Sequence, residues 1–505
     1  MNTDLVRDGL DDVDEVVLAG GVTIIAVFIA VLTILPTQTR AAVSGLGTVV
    51  LLYGGSGYQA VVGIAIAFVV VLFISPWGWL RLGGSDAEPE FGVVSYFAMI
   101  FSAGIAAGIV FWGPAEAILH HETPPPGVDA QPGTEQAAVA ALQYTLFHWG
   151  ISAWSIYMAL GIAIAFFVYN HGAPLRLSAV LTPFVGVDRL DSYWAKAVDI
   201  VAVVATVGGM TATVGLVSSQ FIAGVEYRWA VEFGDGGVAL FIVAMVVVFT
   251  ASAVTGVHRG IRRLSLVNVG GFVLLGTIVA VVGPTGSLFQ TTGGAMAQYA
   301  TEFGAMSTAW GTEWTEGWTV FYWSWWLSWA PFVGLFIARI SLGRTIRELI
   351  LTGVAAASLV TMAWFLVIGG TAIHLQQTGR ADIEQAIQEG GVAVSGFPLF
   401  EVLPFGDVLL FVFFALIITF LVTSADSSTL SIAFLTTTHR TNPSRELRIL
   451  WGGLQAAVAS VVAVVGGVEV LQSAAALTGG VVGIVLVVAV VGVLKESRLT
   501  DSQLK

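Results

Sequence analysis

The sequence contains no cysteine, and its 505 residues include only three lysines, Lys196, Lys495 and Lys505. The first absence excludes disulfide frameworks, thiolate nucleophiles and cysteine-ligated zinc or iron–sulfur sites. Charge of either sign is scarce as well: 10% of residues are charged, against about 25% in an ordinary soluble domain. With so little charge and 56% apolar residues, most of the chain is expected to lie in a membrane. No glycine-rich phosphate loop ending in lysine occurs, so an ion gradient, not ATP, is the expected source of energy. The seven histidines (120, 121, 148, 171, 258, 374 and 439) lack the spacing with glutamate that a helical zinc protease needs.

The charge that is present is lopsided, with 20 Lys and Arg against 33 Asp and Glu, a net charge of −13. A carboxylate-rich surface stays hydrated, and its self-repulsion is screened, when salt is high. This points to a salt-loving host and away from nucleic-acid partners. The first 16 residues, MNTDLVRDGLDDVDEV, are acidic where a secretory leader needs a basic start; the first apolar run is therefore expected to be retained as an anchor.

A crossing takes roughly 20 apolar residues to span about 30 Å of hydrocarbon. Twelve such runs are expected, at 16–36, 57–80, 93–118, 137–169, 197–227, 237–257, 264–285, 318–338, 348–370, 405–437, 447–466 and 470–494. With both termini cytoplasmic, 17 of the 20 cations fall on inner segments and only Arg40, Arg228 and Arg380 fall outside, as the positive-inside bias requires. A helix along the surface is expected over 286–310. His120 and His121 are expected to face the outer solvent, and His148 reads as a hydrogen-bonded packing residue. Glu116 and Asp426 are the main charges within apolar runs; each is a functional candidate, or equally a buried acid satisfied by local donors. No Lys or Arg lies between Arg263 and Arg339, which disfavours a substrate of net negative charge.

Tryptophan is the most specific feature. Trp323, Trp325, Trp326 and Trp329 stand in GWTVFYWSWWLSWAPF. An interfacial belt suits Trp310, Trp314 and Trp318, but Trp326 lies about 12 Å deeper than Trp318 along a helix. A second set, Trp149, Trp154 and Tyr157, shares one flank of a helix in FHWGISAWSIY. Rings facing one another across two helices make a box that attracts quaternary ammonium groups through their quadrupoles, while giving an anion nothing. Packing of aromatics between helices is the alternative. In FSAGIAAGIVFWGP, Gly104 and Gly108 form either a helix-packing face or a stretch that unwinds mid-membrane and exposes backbone groups.

Together RLGGSDAEPEFG (81–92), FWGPAE (111–116), HWGISAWSIY (148–157), WTVFYWSWWLSWAPFVGLFIARISLGRTIREL (318–349) and FLVTSADS (420–427) resemble the betaine/choline/carnitine transporter family over almost the whole chain. The resemblance implies an all-α membrane fold of 12 helices: a short acidic N-terminus (1–15), two additional helices (16–92), inverted five-helix repeats (93–285 and 318–494) joined by a surface linker (286–317), and a short C-terminus (495–505). It also implies alternating access, a homotrimer, and a cell-membrane location.

Carried over by position, the resemblance places the trimethylammonium box at Trp149, Trp154, Tyr157 and Trp326, with Trp325 beside it and Trp323, Trp329 and Phe332 along the path. Gly104, Ile105, Ala106 and Gly108 would hold the substrate carboxylate by backbone donors. A sodium site would use carbonyls near Ser102 and Ile105 with Phe420, Thr423 and Ser424, and Thr206 matches a ligand of a second sodium. On residues alone, back-bonding of Thr423 and Ser424 to the preceding turn is the alternative. Sodium-independent exchangers of the family place an arginine close to the position of Val269 here, so its absence favours sodium coupling.

Three departures stand out. Ala106 replaces a family glycine, Met210 falls where a second-sodium hydroxyl is expected, and the long basic C-terminal tail of some members is not expected to operate. The resulting expectation is a sodium-coupled symporter of glycine betaine in osmoadaptation, with no cofactor beyond the co-transported ion. The alternatives are a choline or carnitine transporter, a precursor/product exchanger, and more distantly a channel or an enzyme acting on choline head groups.

Overall fold

The computed structural model describes residues 13–104, 106–229, 231–255, 260–438 and 443–503. Among them the chain is helical, with two isolated bridges, Val13 to Thr437 and Arg81 to Thr345, as its extended contacts. Backbone polar groups have no water partner in hydrocarbon, so apolar runs of this length close their hydrogen bonds within helices.

The helices are α1 Glu15–Ile34, α2 Pro36–Ile74, α3 Val93–Ala103, α4 Ala106–Glu122, α5 Glu135–Trp149, α6 Ile151–His171, α7 Tyr193–Trp229, α8 Gly234–Thr255, α9 Arg262–Val282 and α10 Thr285–Ser307. They continue as α11 Glu313–Ile340 and α12 Ile346–Gln377, then α13 Gly406–Leu435, α14 Arg445–Val461 and α15 Gly467–Gln503. Each of the twelve apolar runs overlaps one or two of these helices, the run at 237–257 ending outside the described residues. Among the described residues nine helical spans are long and apolar enough to cross a membrane, α5 and α6 counting as one of them, and the bent pair α3–α4 makes a tenth.

The ends follow local chemistry. Asp14 caps α1 by accepting from Val17 N at 3.2 Å, and Thr134 caps α5 by accepting from Ala137 N at 3.2 Å. Thr345 and Glu348 form a reciprocal capping box on α12. Pro36 cannot donate to the turn before it, and the chain breaks at Leu35 between α1 and α2. α2 runs for 39 residues and begins well upstream of the expected start at 57, because the mixture of small and apolar residues in SGLGTVVLL (44–52) continues the helix without reading as a full apolar run. Asp14 also takes Lys196 Nζ at 2.8 Å and donates its backbone N–H to Thr436 O at 3.0 Å, tying the start of α1 to α7 and to the end of α13.

Burial separates the layers. In the most apolar stretch of α11 every residue is inside protein, and in α5–α6 89% are, whereas only 22% are in α1 and 28% in α9. α11 is thus a central post, and α1 and α9 face outward. Backbones approach closely where α15 passes α11: a Cβ on Gly479 would land on the Ser324 carbonyl. Nearby, Tyr58 on α2 donates to Ala476 O at 2.6 Å.

One expectation is corrected. His120 and His121 are 0% and 1% exposed, not turned to outer solvent, because Trp314 and Trp318 cover His120 with ring centroids 5.0 and 4.5 Å away and Gln377 lies 3.1 Å from His121 Nε2.

Gly479→Ala should destabilise the protein by about 1–3 kcal/mol, the usual cost of overpacking, read as a lower unfolding midpoint in detergent. A wild-type midpoint would contradict the close backbone approach.

Candidate substrate and cation site

The site is organised by an interruption in the third apolar run. α3 ends at Gly104, whose backbone leaves helical geometry at φ −74° and ψ −142°, and the chain resumes as α4 at an angle of 60° to α3. Ile105 lies outside the described residues, and Ala106 is the first residue of α4. Helix ends leave carbonyls without intrahelical partners, and here two of them meet hydroxyls from α13. Ser424 Oγ donates to Ser102 O at 3.1 Å and lies 3.3 Å from Gly104 O. Thr423 Oγ1 lies 3.4 Å from Ser102 O, yet its shorter contact, 2.9 Å, is to Phe420 O on its own helix. Back-bonding therefore describes Thr423, whereas Ser424 reaches across to the break.

Asn268 on α9, which the sequence did not single out, donates to Thr419 O at 3.0 Å and to Thr423 Oγ1 at 3.3 Å. It directly precedes Val269, so a neutral amide stands at this corner. Phe420 is buried, with its ring 6.1 Å from Phe101 and 5.9 Å from Phe272. The Ser102 hydroxyl is buried without a partner among the described atoms. Adjacent hydroxyls and freed carbonyls are hard oxygen donors suited to an alkali cation. Thr206 stands on α7, one turn before Gly209; its hydroxyl is buried and unpartnered among the described atoms, and Met210, four residues on, is buried as well.

The same break seats the aromatic rings. A Cβ on Gly104 would lie 2.9 Å from Trp154 Cη2, and one on Gly108 would lie 3.0 Å from Trp149 Cη2. The two glycines thus let both indoles rest against the backbone, which any larger residue would prevent. Packing and unwinding both occur, at different residues: Gly108 is within α4 and Gly104 is at the break.

Two ring groups flank the broken helix. In the first, Trp149 meets Trp326 edge to face at 4.8 Å, Trp325 stacks on Trp326 at 5.2 Å, and Tyr322 stacks on Trp326 at 5.4 Å. In the second, Trp154 stacks on Phe101 at 5.7 Å and meets Tyr157 edge to face at 6.1 Å. All of Trp149, Trp154, Tyr157 and Trp326 are buried, and the Tyr157 hydroxyl lacks a partner among the described atoms. Trp323 donates to Gln59 Oε1 on α2 at 2.8 Å. Trp329 donates to Gly209 O at 3.3 Å and packs on Phe332 at 5.2 Å.

The Trp325 N–H is buried without a partner among the described atoms, but the indole N–H groups of the other three tryptophans of these groups are aimed. Trp326 donates to His148 O at 3.0 Å, Trp154 to Thr361 Oγ1 at 3.2 Å, and Trp149 to Glu116 Oε2 at 2.6 Å. Glu116 is a hub: Tyr322 Oη also donates to its Oε2 at 2.6 Å, while His148 Nδ1 at 2.7 Å and His120 Nε2 at 3.2 Å face its Oε1. His148 is held from its other side by Thr319 Oγ1 at 2.9 Å.

Glu116, His120 and His148 bring ligand atoms within 4.8 Å of one another, a set able to hold a metal ion. The hydrogen bonding argues for a different use. Four donors fill the carboxylate's lone-pair directions, and His120 Nδ1 is buried without the acceptor that a metal-bound imidazole ordinarily has. In sequence the signals of this hub were the charge of Glu116 within an apolar run and its four-residue spacing from His120 in EAILH. Asp426 is buried in α13.

Gly108→Ala should press a methyl into the Trp149 indole and raise, by several-fold, the concentration of whatever solute the rings hold that gives half-maximal uptake. An unchanged half-saturation would mean that Trp149 does not depend on this contact.

The sequence profile of the betaine/carnitine/choline family transporters matches residues 16–502. The glycine betaine transporter OpuD of Bacillus subtilis (strain 168) is 36% identical over 89% of this chain and 87% of its own. Glycine betaine transporter 1 of Vibrio parahaemolyticus is 34% identical over 92% and 89%. An ectoine/hydroxyectoine transporter of Virgibacillus pantothenticus is 32% identical over 88% of both. Among solved structures, a Na+-coupled sialic acid symporter in a substrate-bound, outward-open state aligns with 88% of this chain and 86% of its own at a TM-score of 0.50 and 15% identity, a likeness of fold. With helices that accord with membrane spans, and with matches of this length, the chain belongs to the betaine/carnitine/choline transporter family and is a transporter, not an enzyme.

Proposed function

We propose that the protein imports glycine betaine together with sodium by alternating access. The observation that carries this reading is the pair of indoles, Trp149 and Trp154, resting on Gly108 and Gly104 on either side of a break whose carbonyls face the Ser424 hydroxyl. Rings for a methylated cation and oxygens for an alkali cation share one backbone segment. Names of relatives support the substrate. The fold neighbour's coupling to Na+ is in keeping with the ion, as is the neutral Asn268 beside Thr423.

The substrate's trimethylammonium group would sit among Trp149, Trp154, Tyr157 and Trp326, with Trp325 behind. Its carboxylate would take backbone donors near residues 104–108, as anions do at helix starts. Sodium would be held by Ser102 and Ile105 carbonyls with Phe420, Thr423 and Ser424, and a second ion by Thr206 on α7. Trp323, Trp329 and Phe332 would line the path. Since betaine is neutral overall, each sodium ion adds about 2.3 kcal/mol per 100 mV of membrane potential to accumulation.

Twelve crossings, arranged as two additional helices and two inverted five-helix repeats at 93–285 and 318–494, complete the reading, with both termini in the cytoplasm of a cell-membrane protein. A homotrimer and a role in osmoadaptation rest on the family resemblance. Choline or carnitine transport, or exchange without sodium, is separated by counterflow of the three labelled solutes into liposomes with and without sodium.

Trp326→Leu should abolish betaine uptake by a protein that still folds, and unchanged affinity would remove this ring from the site. Replacing Ser424 with alanine should raise the sodium concentration for half-maximal uptake several-fold, more than replacing Thr423, whose hydroxyl is mainly engaged on its own helix. A flat sodium response in both would reject the ion site.

A further inference from the structure

An aromatic box binds a methylated cation through ring quadrupoles alone, and no cationic or anionic side chain belongs to the box proposed above. Glu116 changes this. It is buried, as are the groups around it, and all four hydrogen bonds it receives come from donors able to be neutral: two imidazoles, an indole and a phenol. Neutral donors stabilise a carboxylate without cancelling its charge. With both imidazoles neutral, the carboxylate's negative charge is not cancelled inside the protein and acts on whatever stands nearby.

What stands nearby is the box itself. Of the two groups on Oε2, one is Trp149, a wall of the box, and the other is Tyr322, which stacks on Trp326, the wall adjoining Trp149. α4 grips Trp149 at both ends of the indole, with Gly108 against the six-membered ring and Glu116 on the pyrrole N–H. An N–H donating at 2.6 Å to an ionised acceptor pushes electron density into its ring, and chains of hydrogen bonds polarise one another in a low-dielectric interior. A ring made more electron-rich attracts a cation more strongly, and the carboxylate beyond it attracts the same cation directly across the indole.

We propose that Glu116 is the counter-charge of the aromatic box, a specificity residue that acts on the substrate's ammonium group through Trp149 and Tyr322 without touching it. The assignment rests on the box holding a trimethylammonium solute. It explains why a glutamate is placed among uncharged donors from α4, α5 and α11 where a glutamine would fill the same space. A glutamine amide nitrogen could not accept from Trp149 or Tyr322, and would bring no charge.

The test separates charge from shape. Purified full-length protein in liposomes is assayed for uptake of labelled glycine betaine, with competition by unlabelled betaine and by 3,3-dimethylbutanoate, in which carbon replaces the quaternary nitrogen and the shape is retained. Glu116→Gln should reduce the preference for betaine over this uncharged-headed isostere by roughly tenfold, chiefly through half-saturation, while the shorter but charged Glu116→Asp keeps the wild-type preference even where its uptake is slower. Equal weakening of both competitors in Glu116→Gln would show a merely structural role and overturn the proposal. So would a loss of preference in Glu116→Asp, which keeps the test decisive if the glutamine variant does not fold. Absence of betaine uptake by the wild-type protein would instead overturn the substrate reading, whereas wild-type uptake with an unchanged ratio in Glu116→Gln would overturn this inference alone.

Discussion

The break between α3 and α4 is the constraint on which the other features depend. Interrupting a helix inside a membrane leaves carbonyls and N–H groups that hydrocarbon cannot satisfy, and such backbone persists only where protein or a bound polar group answers it. Here α13 answers with Ser424 on the Ser102 and Gly104 carbonyls, and α9 braces the responding turn through Asn268. The glycines that permit the break also admit indoles from α5 and α6 to the backbone. Unwinding, oxygen donors and flat aromatic walls are therefore consequences of one local choice of residues.

Around this break the interior polar groups are arranged in two ways. Near α13 they are hydroxyls and carbonyls, which present partial charge and can regroup around a small ion. Farther along α4 a carboxyl group, that of Glu116, sits in a fixed cage of four partners. One corner is suited to exchanging partners and the other to holding still. The first acts on the end of α3 and the break, the second on α4 beyond it.

Much of this was legible in the sequence, for physical reasons that can be named. Apolar runs mark helices because length and hydropathy decide them, and the tryptophans of GWTVFYWSWWLSWAPF stood too deep for an interfacial belt. The break fell at Gly104, where glycine spacing allowed it. What the sequence concealed was partnership across helices. Nothing in EAILHH tells that Glu116 will collect donors from α5 and α11, or that Trp314 and Trp318 will cover His120; an i,i+4 pattern shows neighbours on one helix and none on the next. Asn268 was hidden for the same reason, being one polar residue in a helix otherwise read for its hydropathy. The early start of α2 was missed because small residues such as Gly45, Gly47 and Gly54 lower apolarity without ending a helix already propagating.

That long helix has a geometric consequence. Thirty-nine residues at about 1.5 Å each extend for nearly twice the roughly 30 Å of hydrocarbon. Its first half is no water-loving extension, for Leu46, Val49, Leu52 and Tyr53 are 56%, 50%, 53% and 83% exposed. A helix of this length fits a bilayer only by leaning or by having a neighbour cover its excess, so the exposed apolar residues between Leu46 and Tyr53 call for acyl chains or another apolar surface and not for bulk water.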